Sequence, residues 1–161
     1  MPAVTTTFSL EKPLDVALLP IVDVARELIG AHEAAISTTI DERWAQMVNA
    51  ISLSDKYAAW RGYEDAPDGT GIYAEVCRTN RAMRLTQAEL EQHPLFRRFS
   101  KAADKHPPLR GWLALPLIGR DGKNLGVLQL SDRYEGEFTG EDESVVTQLA
   151  QLPSVVIENH H

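Results

Sequence analysis

Two apolar segments joined by an Asp-Gly turn limit the possible folds of this chain more than any other feature. Residues 110–118 and 124–131 are both rich in strand-forming residues, and the connection between them contains Asp121-Gly122. Glycine tolerates the positive φ that a tight hairpin turn requires, so this arrangement predicts two antiparallel strands. An antiparallel sheet is therefore the expected centre of the fold.

The first half of the chain adds a helix and a second hairpin. Apolar residues recur at helical spacing over residues 13–29. Pro20 either kinks one helix there or lies in the first turn of a helix that begins at that point. The segments 31–39 and 47–53 are short and rich in apolar or β-branched residues, and they are predicted to form the strands of the second hairpin.

The remaining segments predict short elements and a terminal helix. A helix over residues 71–79, a brief strand over 82–85 and a helix beginning at Thr86 are expected between the hairpins. Thr139 is a suitable N-cap for the final helix because acidic residues follow it, and Pro153 predicts a kink or stop within that helix. The final helix carries two neighbouring apolar stripes, Val145, Leu149, Leu152 and Val156 in one and Val146, Ala150 and Ile157 in the other.

The order of these elements predicts a single α+β domain. The terminal helices are expected to cover one face of the antiparallel sheet, and the helices and loops in the middle of the chain the other. Residues 1–12 are Thr-rich and weakly patterned, and we expect a disordered or extended arm there. The pair His160-His161 is expected to be the remnant of an affinity tag.

Composition argues against several classes of function. A net charge of −7 with scattered basic residues argues against a nucleic-acid-binding surface. The single cysteine, Cys77, excludes an internal disulfide and is predicted to be a buried hydrophobe. No metal-ligand spacing of His and Cys is present, so no metal is expected. No apolar segment approaches the roughly 20 residues that span a bilayer, and no secretory signal is evident, so we expect a cytoplasmic location.

Side-chain alternation along the paired strands separates two faces. One face is aliphatic and is expected to lie under the terminal helices. The other is mixed and contains Trp112 and Gln129, which suits either a ligand cavity or a second, somewhat polar core without a ligand. The residues predicted to bind a ligand on this face are Trp60, Tyr73, Trp112, Gln129, Ser52 and Arg110.

The same segments carry a resemblance to a known family. Its motifs are the paired strands 111–118 and 125–130, then Asp132-Arg133, Phe138 and Asp142-Glu143. In this order they resemble the GAF domain, over residues 13–159, and are most similar to GAF segments of bacterial multidomain sensor histidine kinases. The resemblance implies a GAF-like antiparallel sheet of five to six strands, with the terminal helices on one face and a helix-and-loop layer covering a pocket on the other.

Single residues within and near these motifs can also be assigned roles, in part by physical argument and in part from the family. Arg133 and Asp142 are expected to form a structural ion pair that contributes about 0–1 kcal/mol. Family members that reduce methionine sulfoxide need several cysteines, so one cysteine argues against that activity. Bilin-binding members attach the pigment near a Cys-His pair, and Lys105 precedes His106 here. A covalent bilin is therefore not expected, and no other cofactor is implied.

Three functions follow from these observations. The favoured one is a sensory, small-molecule-binding domain that is not itself an enzyme and acts on flanking signalling domains through its terminal helices. The alternative is a dimerisation or scaffold module without a ligand. The third, a thiol-dependent redox enzyme, is disfavoured by the cysteine count. A homodimer through the first and last helices is expected, with no nucleic-acid or membrane partner.

Overall fold

One antiparallel sheet, built from both predicted hairpins, organises the fold. The computed structural model describes residues 13–62, 69–99 and 107–160, with the backbone alone for residues 97–99. The strands are β1 (Ala31–Thr39), β2 (Gln46–Leu53), β3 (Met83–Leu85), β4 (Trp112–Ile118) and β5 (Asn124–Arg133). They lie in the order β2-β1-β5-β4-β3, and every neighbouring pair is antiparallel.

Helices cover both faces of this sheet. In chain order they are α1 (Pro13–Ile29), a 3-10 helix (Asp55–Trp60), α2 (Tyr73–Thr79), α3 (Gln87–Gln92), α4 (Pro94–Phe99), α5 (Gly140–Leu149) and α6 (Gln151–His160). The α1, α5 and α6 helices pack on one face, and α2, α3 and α4 pack on the other. The predicted α+β class and the placement of the terminal helices on one face are therefore confirmed.

Local sequence signals determine where these elements begin and end. Gly122 has a φ of 83° in the β4–β5 turn, as the Asp-Gly pair predicts. Thr86 and Thr139 each accept a hydrogen bond from the backbone N–H three residues later and complete a capping box with the acidic residue there. Asn80 ends α2 in the left-handed conformation, which satisfies the last turn of a helix.

The two prolines within the helical segments affect their helices differently. The α1 helix contains Pro20 and begins at Pro13, so the alternative of a helix that begins at Pro20 is wrong. Pro153 has no N–H to donate, and its ring crowds the carbonyl of Leu149, four residues earlier. Accordingly, α5 ends at Leu149 and α6 begins at Gln151. The predicted interruption of the last helix is confirmed.

The aliphatic face of the sheet lies beneath the terminal helices. Leu113, Leu115 and Leu117 of β4 and Leu128 and Leu130 of β5 share one core cluster with residues of α1, α5 and α6. Burial of each such side chain stabilises the fold by about 1.5–3 kcal/mol relative to its exposure. This cluster therefore attaches α1, α5 and α6 to the same side of the sheet.

Burial distinguishes the two apolar stripes of the last helices. Val146, Ala150 and Ile157 are at most 5% exposed and belong to the core under the sheet. Leu152, in the other stripe, is 53% exposed. The stripe that contains Leu152 is therefore the one with apolar surface left over after packing on the sheet.

Some predictions concern residues outside the described ranges. They are the extended arm at residues 1–12, the position of His106 and the second histidine of the terminal pair, His161. His160 is the last residue of α6. Within the described ranges, no helix is long and apolar enough to cross a membrane.

Candidate functional site

The second face of the sheet carries a separate core around Trp112. Its buried members are Ile72, Val76, Cys77, Leu90, Trp112, Ala114 and Val127. Trp112 is fully buried, and its Nε1 donates a 3.0 Å hydrogen bond to Gln129 Oε1 on β5. Trp112 thus lies opposite the terminal helices, as strand alternation predicts, and Gln129 satisfies its buried indole N–H.

The other predicted aromatic residues are placed differently. Tyr73 packs against the Trp112 core, and its hydroxyl accepts a 2.5 Å hydrogen bond from the backbone N–H of Gly69. Trp60 ends the 3-10 helix and is partly exposed. Among the described side chains, Trp44 rather than Trp60 is the second tryptophan that packs against the Trp112 core. Tyr73 therefore lies next to the predicted site, whereas a ligand contact by Trp60 stays a prediction.

Ser52 lies on the opposite face from Trp112. It is paired in register with Ala34, which belongs to the core beneath α1. Directly paired residues of antiparallel strands share a face. Accordingly, Arg26 Nε of α1 donates a 2.7 Å hydrogen bond to Ser52 Oγ. The prediction that Ser52 joins Trp112 in a ligand site is therefore wrong, and Ser52 instead links β2 to α1.

Arg110 borders a charged cleft at one end of the sheet. It precedes β4, and its backbone N–H donates a 2.8 Å hydrogen bond to Ser131 Oγ near the end of β5. The cleft has a volume of about 320 Å³, and its lining residues are His32, Lys56, Arg110, Asp132, Arg133, Tyr134, Gly136 and Glu137. Arg110 is thus placed at this cleft, and its predicted partners Trp112 and Tyr73 are not among the lining residues.

Asp132 forms the inner wall of the cleft. Its Oδ2 accepts a 2.6 Å hydrogen bond from the Tyr57 hydroxyl and a second hydrogen bond from the Lys56 ammonium. Its backbone has a φ of 60°, a region that Asp and Asn adopt more readily than other side chains. Burial acts to raise the pKa of Asp132, but the hydrogen bonds from Lys56 and Tyr57 outweigh burial and hold this pKa below its usual value.

Glu33 is a second buried carboxyl group close to Asp132. It is 6% exposed on β1 and is paired in register with Ser131. Its Oε2 has no hydrogen-bond partner among the described residues. Burial, and then the negative charge of Asp132, raise the pKa of Glu33 to about 8 against the opposing effects of Ser131 and Lys56. Glu33 Oε2 is therefore a buried polar atom without a partner within the described ranges.

The sheet next to Glu33 is only partly covered on this face. Both β1 and β5 are internal strands, and Ala34, on the helix side, is 2% exposed. On the opposite side, Ala35 and its cross-strand partner Gln129 are partly exposed. We call Glu33, Ala35, Gln129 and Ser131 the sheet floor, because these four residues form two directly paired rows on one face. The row of Ala35 and Gln129 is accessible to solvent, whereas the row of Glu33 and Ser131 is buried.

Cys77 is fully buried in the Trp112 core. Its Sγ lies 3.6 Å from Gln46 Nε2. Burial raises the pKa of the thiol to about 11, against the opposing contacts of Thr39 and Gln46. A thiol with this pKa is protonated at neutral pH and is a poor nucleophile. The prediction that Cys77 is a buried hydrophobic residue is confirmed.

The expected ion pair has a second function at the start of α5. Arg133 Nε donates to Asp142 Oδ2 at 2.9 Å. The same oxygen accepts the backbone N–H of Thr139 at 2.9 Å, and Thr139 Oγ1 accepts the backbone N–H of Asp142 at 3.0 Å. Asp142 therefore caps the helix and attaches it to the end of β5.

The described ranges contain no group of three His, Cys, Asp or Glu side chains that could hold a metal ion.

Sequence reasoning did not identify Glu33, Lys56 or Tyr57 as site residues. A signal for Glu33 was present, because a charged residue within an apolar strand is seldom buried without a specific reason. Tyr57 and Lys56 carried no such signal, since their partner Asp132 lies 75 and 76 residues away in the chain.

The fold and the floor define a class of protein: an α+β domain whose sheet has helices at the chain ends on one side and a partly open face on the other. The model of the GAF domain family matches residues 13–157 of this chain. The chain therefore belongs to the GAF domain family.

Solved structures with the same fold come from proteins of diverse function. The GAF domain of a phosphoenolpyruvate-protein phosphotransferase (ptsP) from Coxiella burnetii is 20% identical, with a TM-score of 0.71, over 98% of this chain and 90% of that one. The blue-light absorbing form of the PixJ GAF domain from Thermosynechococcus elongatus is 18% identical, with a TM-score of 0.67, over 92% and 86%. A type II free methionine-R-sulfoxide reductase from Thermoplasma acidophilum is 12% identical, with a TM-score of 0.67, over 91% and 93%. At these identities the similarity shows a common fold.

Proposed function

We propose that this GAF domain is a cytoplasmic, non-catalytic sensory module of a bacterial signal-transduction protein. A small molecule binds over the sheet floor and biases the terminal helices, which act on a flanking effector such as a histidine kinase. The observation that carries the proposal is the partial exposure of Ala35 and Gln129 in the middle of internal strands, beside a Glu33 oxygen that has no hydrogen-bond partner within the described ranges. Buried polar atoms of this kind are normally satisfied, so one without a partner beside accessible surface favours a ligand.

The position of the floor suits a regulatory role. Ala35 lies on the open face of β1, and its neighbours Ala34 and Ile36 lie in the core that packs against α1. A molecule on the floor therefore contacts the same strands that support the terminal helices. The buried Cys77 thiol supports a non-catalytic role, because its raised pKa makes it a poor redox nucleophile.

Ligand binding is tested by mass spectrometry and by a thermal-shift screen. Purified protein is measured under native and denaturing conditions, and a broad small-molecule library is screened for compounds that stabilise the fold. We expect at least one bound or stabilising compound, and we expect Ala35→Leu to abolish its binding by filling the floor. Ala58→Leu, on the exposed surface of the 3-10 helix, is the matched control and should bind normally. If neither a co-purified mass nor a stabilising compound is found, the sensory proposal fails.

The link to the terminal helices is tested by hydrogen exchange. With the compound from this screen, we expect amide exchange to change in α1 or α6 as well as in β1 and β5. A change confined to the floor strands would separate binding from signalling and contradict the regulatory part of the proposal.

A second candidate function, a dimerisation module, is favoured by the surface of the terminal helices. Large apolar side chains are exposed on α1 and α6, namely Val16, Leu19, Val24, Leu28, Leu152 and Val155. In a symmetric pairing these helices would lie side by side and bring the chain ends together. Such a homodimer is compatible with the sensory proposal, and it is the whole function if the floor binds no ligand.

Assembly is tested by sedimentation at micromolar concentration. We expect a dimer that Leu19→Glu and Leu152→Glu convert to monomer, because both side chains are about half exposed and neither supports the core. Ile40→Glu, at an exposed apolar residue just beyond β1, is the control and should leave the dimer intact. A monomer at every concentration would remove this candidate.

A further inference from the structure

The acceptor atom of Glu33 points to a particular class of ligand. Glu33 is 6% exposed, and its Oε2 has no hydrogen-bond partner within the described ranges. An ionised carboxylate accepts hydrogen bonds and donates none, so a ligand that binds the ionised form of Glu33 must be a donor. Of the two other polar members of the floor, Gln129 uses its Oε1 to accept from Trp112 Nε1, and Ser131 Oγ donates to Gly111 O.

The charges around Glu33 favour a positively charged donor. The charged and titratable groups that face it are Asp132 of β5 and Lys56 and Tyr57 of the 3-10 helix. The Lys56 ammonium and the Tyr57 hydroxyl are both bound to Asp132 Oδ2. His32 and Arg110 also border Asp132 at the cleft. The basic group that acts on Glu33 is Lys56, and its ammonium is already bound to Asp132. A cation placed at Glu33 would balance the charge of the ionised carboxylate.

The floor continues beside Glu33 as a partly exposed row. Ala35 and Gln129 form the next paired row on this face, and both are partly exposed. Paired Cβ atoms lie about 5 Å apart and successive rows about 7 Å apart, so this patch matches a short organic molecule. The methyl group of Ala35 offers an apolar contact for a carbon chain.

We propose that Glu33 binds the ammonium or guanidinium group of a small organic amine whose carbon skeleton lies over Ala35 and Gln129. This inference rests on the proposed small-molecule function and specifies its ligand class. The ligand-free Glu33 carboxyl carries a proton at neutral pH, because its pKa is about 8. An amine therefore displaces that proton when it binds, and the ammonium of the ligand and the Glu33 carboxylate form a charge-assisted hydrogen bond.

Proton displacement gives binding a recognisable pH dependence. Simple alkylamines keep their positive charge to about pH 10, as the lysine side chain does. Below pH 8 the dissociation constant should decrease about tenfold for each unit of rising pH, and it should level off above pH 8. Calorimetry at pH 6.5 in two buffers of different ionisation enthalpy should report about one proton released for each amine bound.

The test uses amines and uncharged or negatively charged analogues of matched size. The probes are butylamine, phenethylamine and agmatine; the analogues are 1-butanol, 2-phenylethanol and butyrate, with potassium and magnesium chloride as inorganic cations. We expect at least one amine to bind and all analogues and inorganic salts to fail. Glu33→Gln should increase the dissociation constant of that amine by about tenfold or more and remove the pH dependence of binding, because a neutral amide replaces a charged partner. Glu42→Gln, at an exposed carboxylate in the β1–β2 turn, is the matched control.

The outcomes separate this inference from the proposed function. If an alcohol, butyrate or an inorganic cation binds instead, or if amine binding is unchanged in Glu33→Gln, the amine class is wrong while small-molecule sensing stands. If no amine binds wild-type protein, the inference is overturned, and the library screen decides the sensory proposal separately. If Glu33→Gln does not fold, Ala35→Leu replaces it, since filling the floor must also abolish amine binding; retained binding in that variant overturns the inference.

Discussion

The Tyr57 hydroxyl donates a 2.6 Å hydrogen bond to Asp132 Oδ2 and so joins the 3-10 helix to a residue with a left-handed backbone at the end of β5. The Lys56 ammonium contacts the same oxygen. Asp132 therefore has two separable roles. Its side chain holds the 3-10 helix against the sheet, and its backbone makes a turn that most other residues resist.

We expect substitutions of Asp132 to separate these roles. Asp132→Asn tolerates the left-handed backbone but loses the charge, and should lower the free energy of unfolding by about 1 kcal/mol. Asp132→Ala loses the acceptor and also adds backbone strain, so a decrease of about 2–3 kcal/mol is expected. Urea denaturation measures the free energy of unfolding of both variants. Equal losses for the two variants would show that the left-handed backbone contributes nothing.

The stability of the domain should depend on pH through Glu33. The pKa of this carboxyl is 4.5 in the reference state and about 8 in the fold. The folded state thus holds a proton that the unfolded state has released, and the resulting stability is full below pH 4.5 and is lost as pH rises through about 8. The free energy of unfolding of Glu33→Gln should stay constant across this range and should exceed that of wild type at pH 9 by about 5 kcal/mol, because each of roughly 3.5 pKa units corresponds to about 1.4 kcal/mol. Denaturation curves from pH 5 to 9 test this, and parallel profiles for the two proteins would refute it.

Asp142 should matter more to stability than its ion-pair partner Arg133. Arg133→Ala removes a partly exposed ion pair and should lower the free energy of unfolding by about 0.5 kcal/mol. Asp142→Ala also removes the acceptor for the Thr139 backbone N–H, so about 1–2 kcal/mol is expected. Thermal and urea unfolding of both variants provide the comparison. A larger loss for Arg133→Ala would mean that the ion pair, and not the cap, is the stabilising contact.

Cys77 should react with thiol reagents only when the protein unfolds. Its side chain is fully buried and the pKa of its thiol is about 11, so native protein contains little thiolate at pH 7.5. We expect 5,5′-dithiobis(2-nitrobenzoate) to label native protein at the rate of unfolding. Cys77→Ala should lower the free energy of unfolding by about 1 kcal/mol and leave ligand binding unchanged. Rapid labelling of folded protein would show that the thiol is accessible.

The strands and helices could be predicted because each has a local signal. The Asp121-Gly122 pair specifies the β4–β5 turn, and the apolar spacing over residues 13–29 specifies α1. The face of Trp112 also followed from alternation within one strand. These inferences need no knowledge of distant contacts, since turn geometry and side-chain periodicity are properties of short segments.

The face of Ser52 could not be predicted in this way. The β1–β2 pairing contains an irregularity between Ile36 and Ser37, where the register changes by one residue. A shift of one residue moves every following side chain to the other face of a strand. Alternation within β2 therefore does not determine which of its sides faces α1. The hydrogen bond from Arg26 to Ser52 determines which side of β2 faces α1, and it joins residues that are 26 positions apart in the chain.

The alternation of β1 makes the mechanical path through the domain very short. Ala35 lies on the floor, while Ala34 and Ile36, its neighbours in the chain, lie in the core beneath α1. A ligand and a terminal helix would thus be separated by the thickness of one strand. Any tilt or slide of β1 under a bound molecule moves the support of α1 by a similar distance. Transmission of a signal then requires no relay of side chains, only the stiffness of a single backbone.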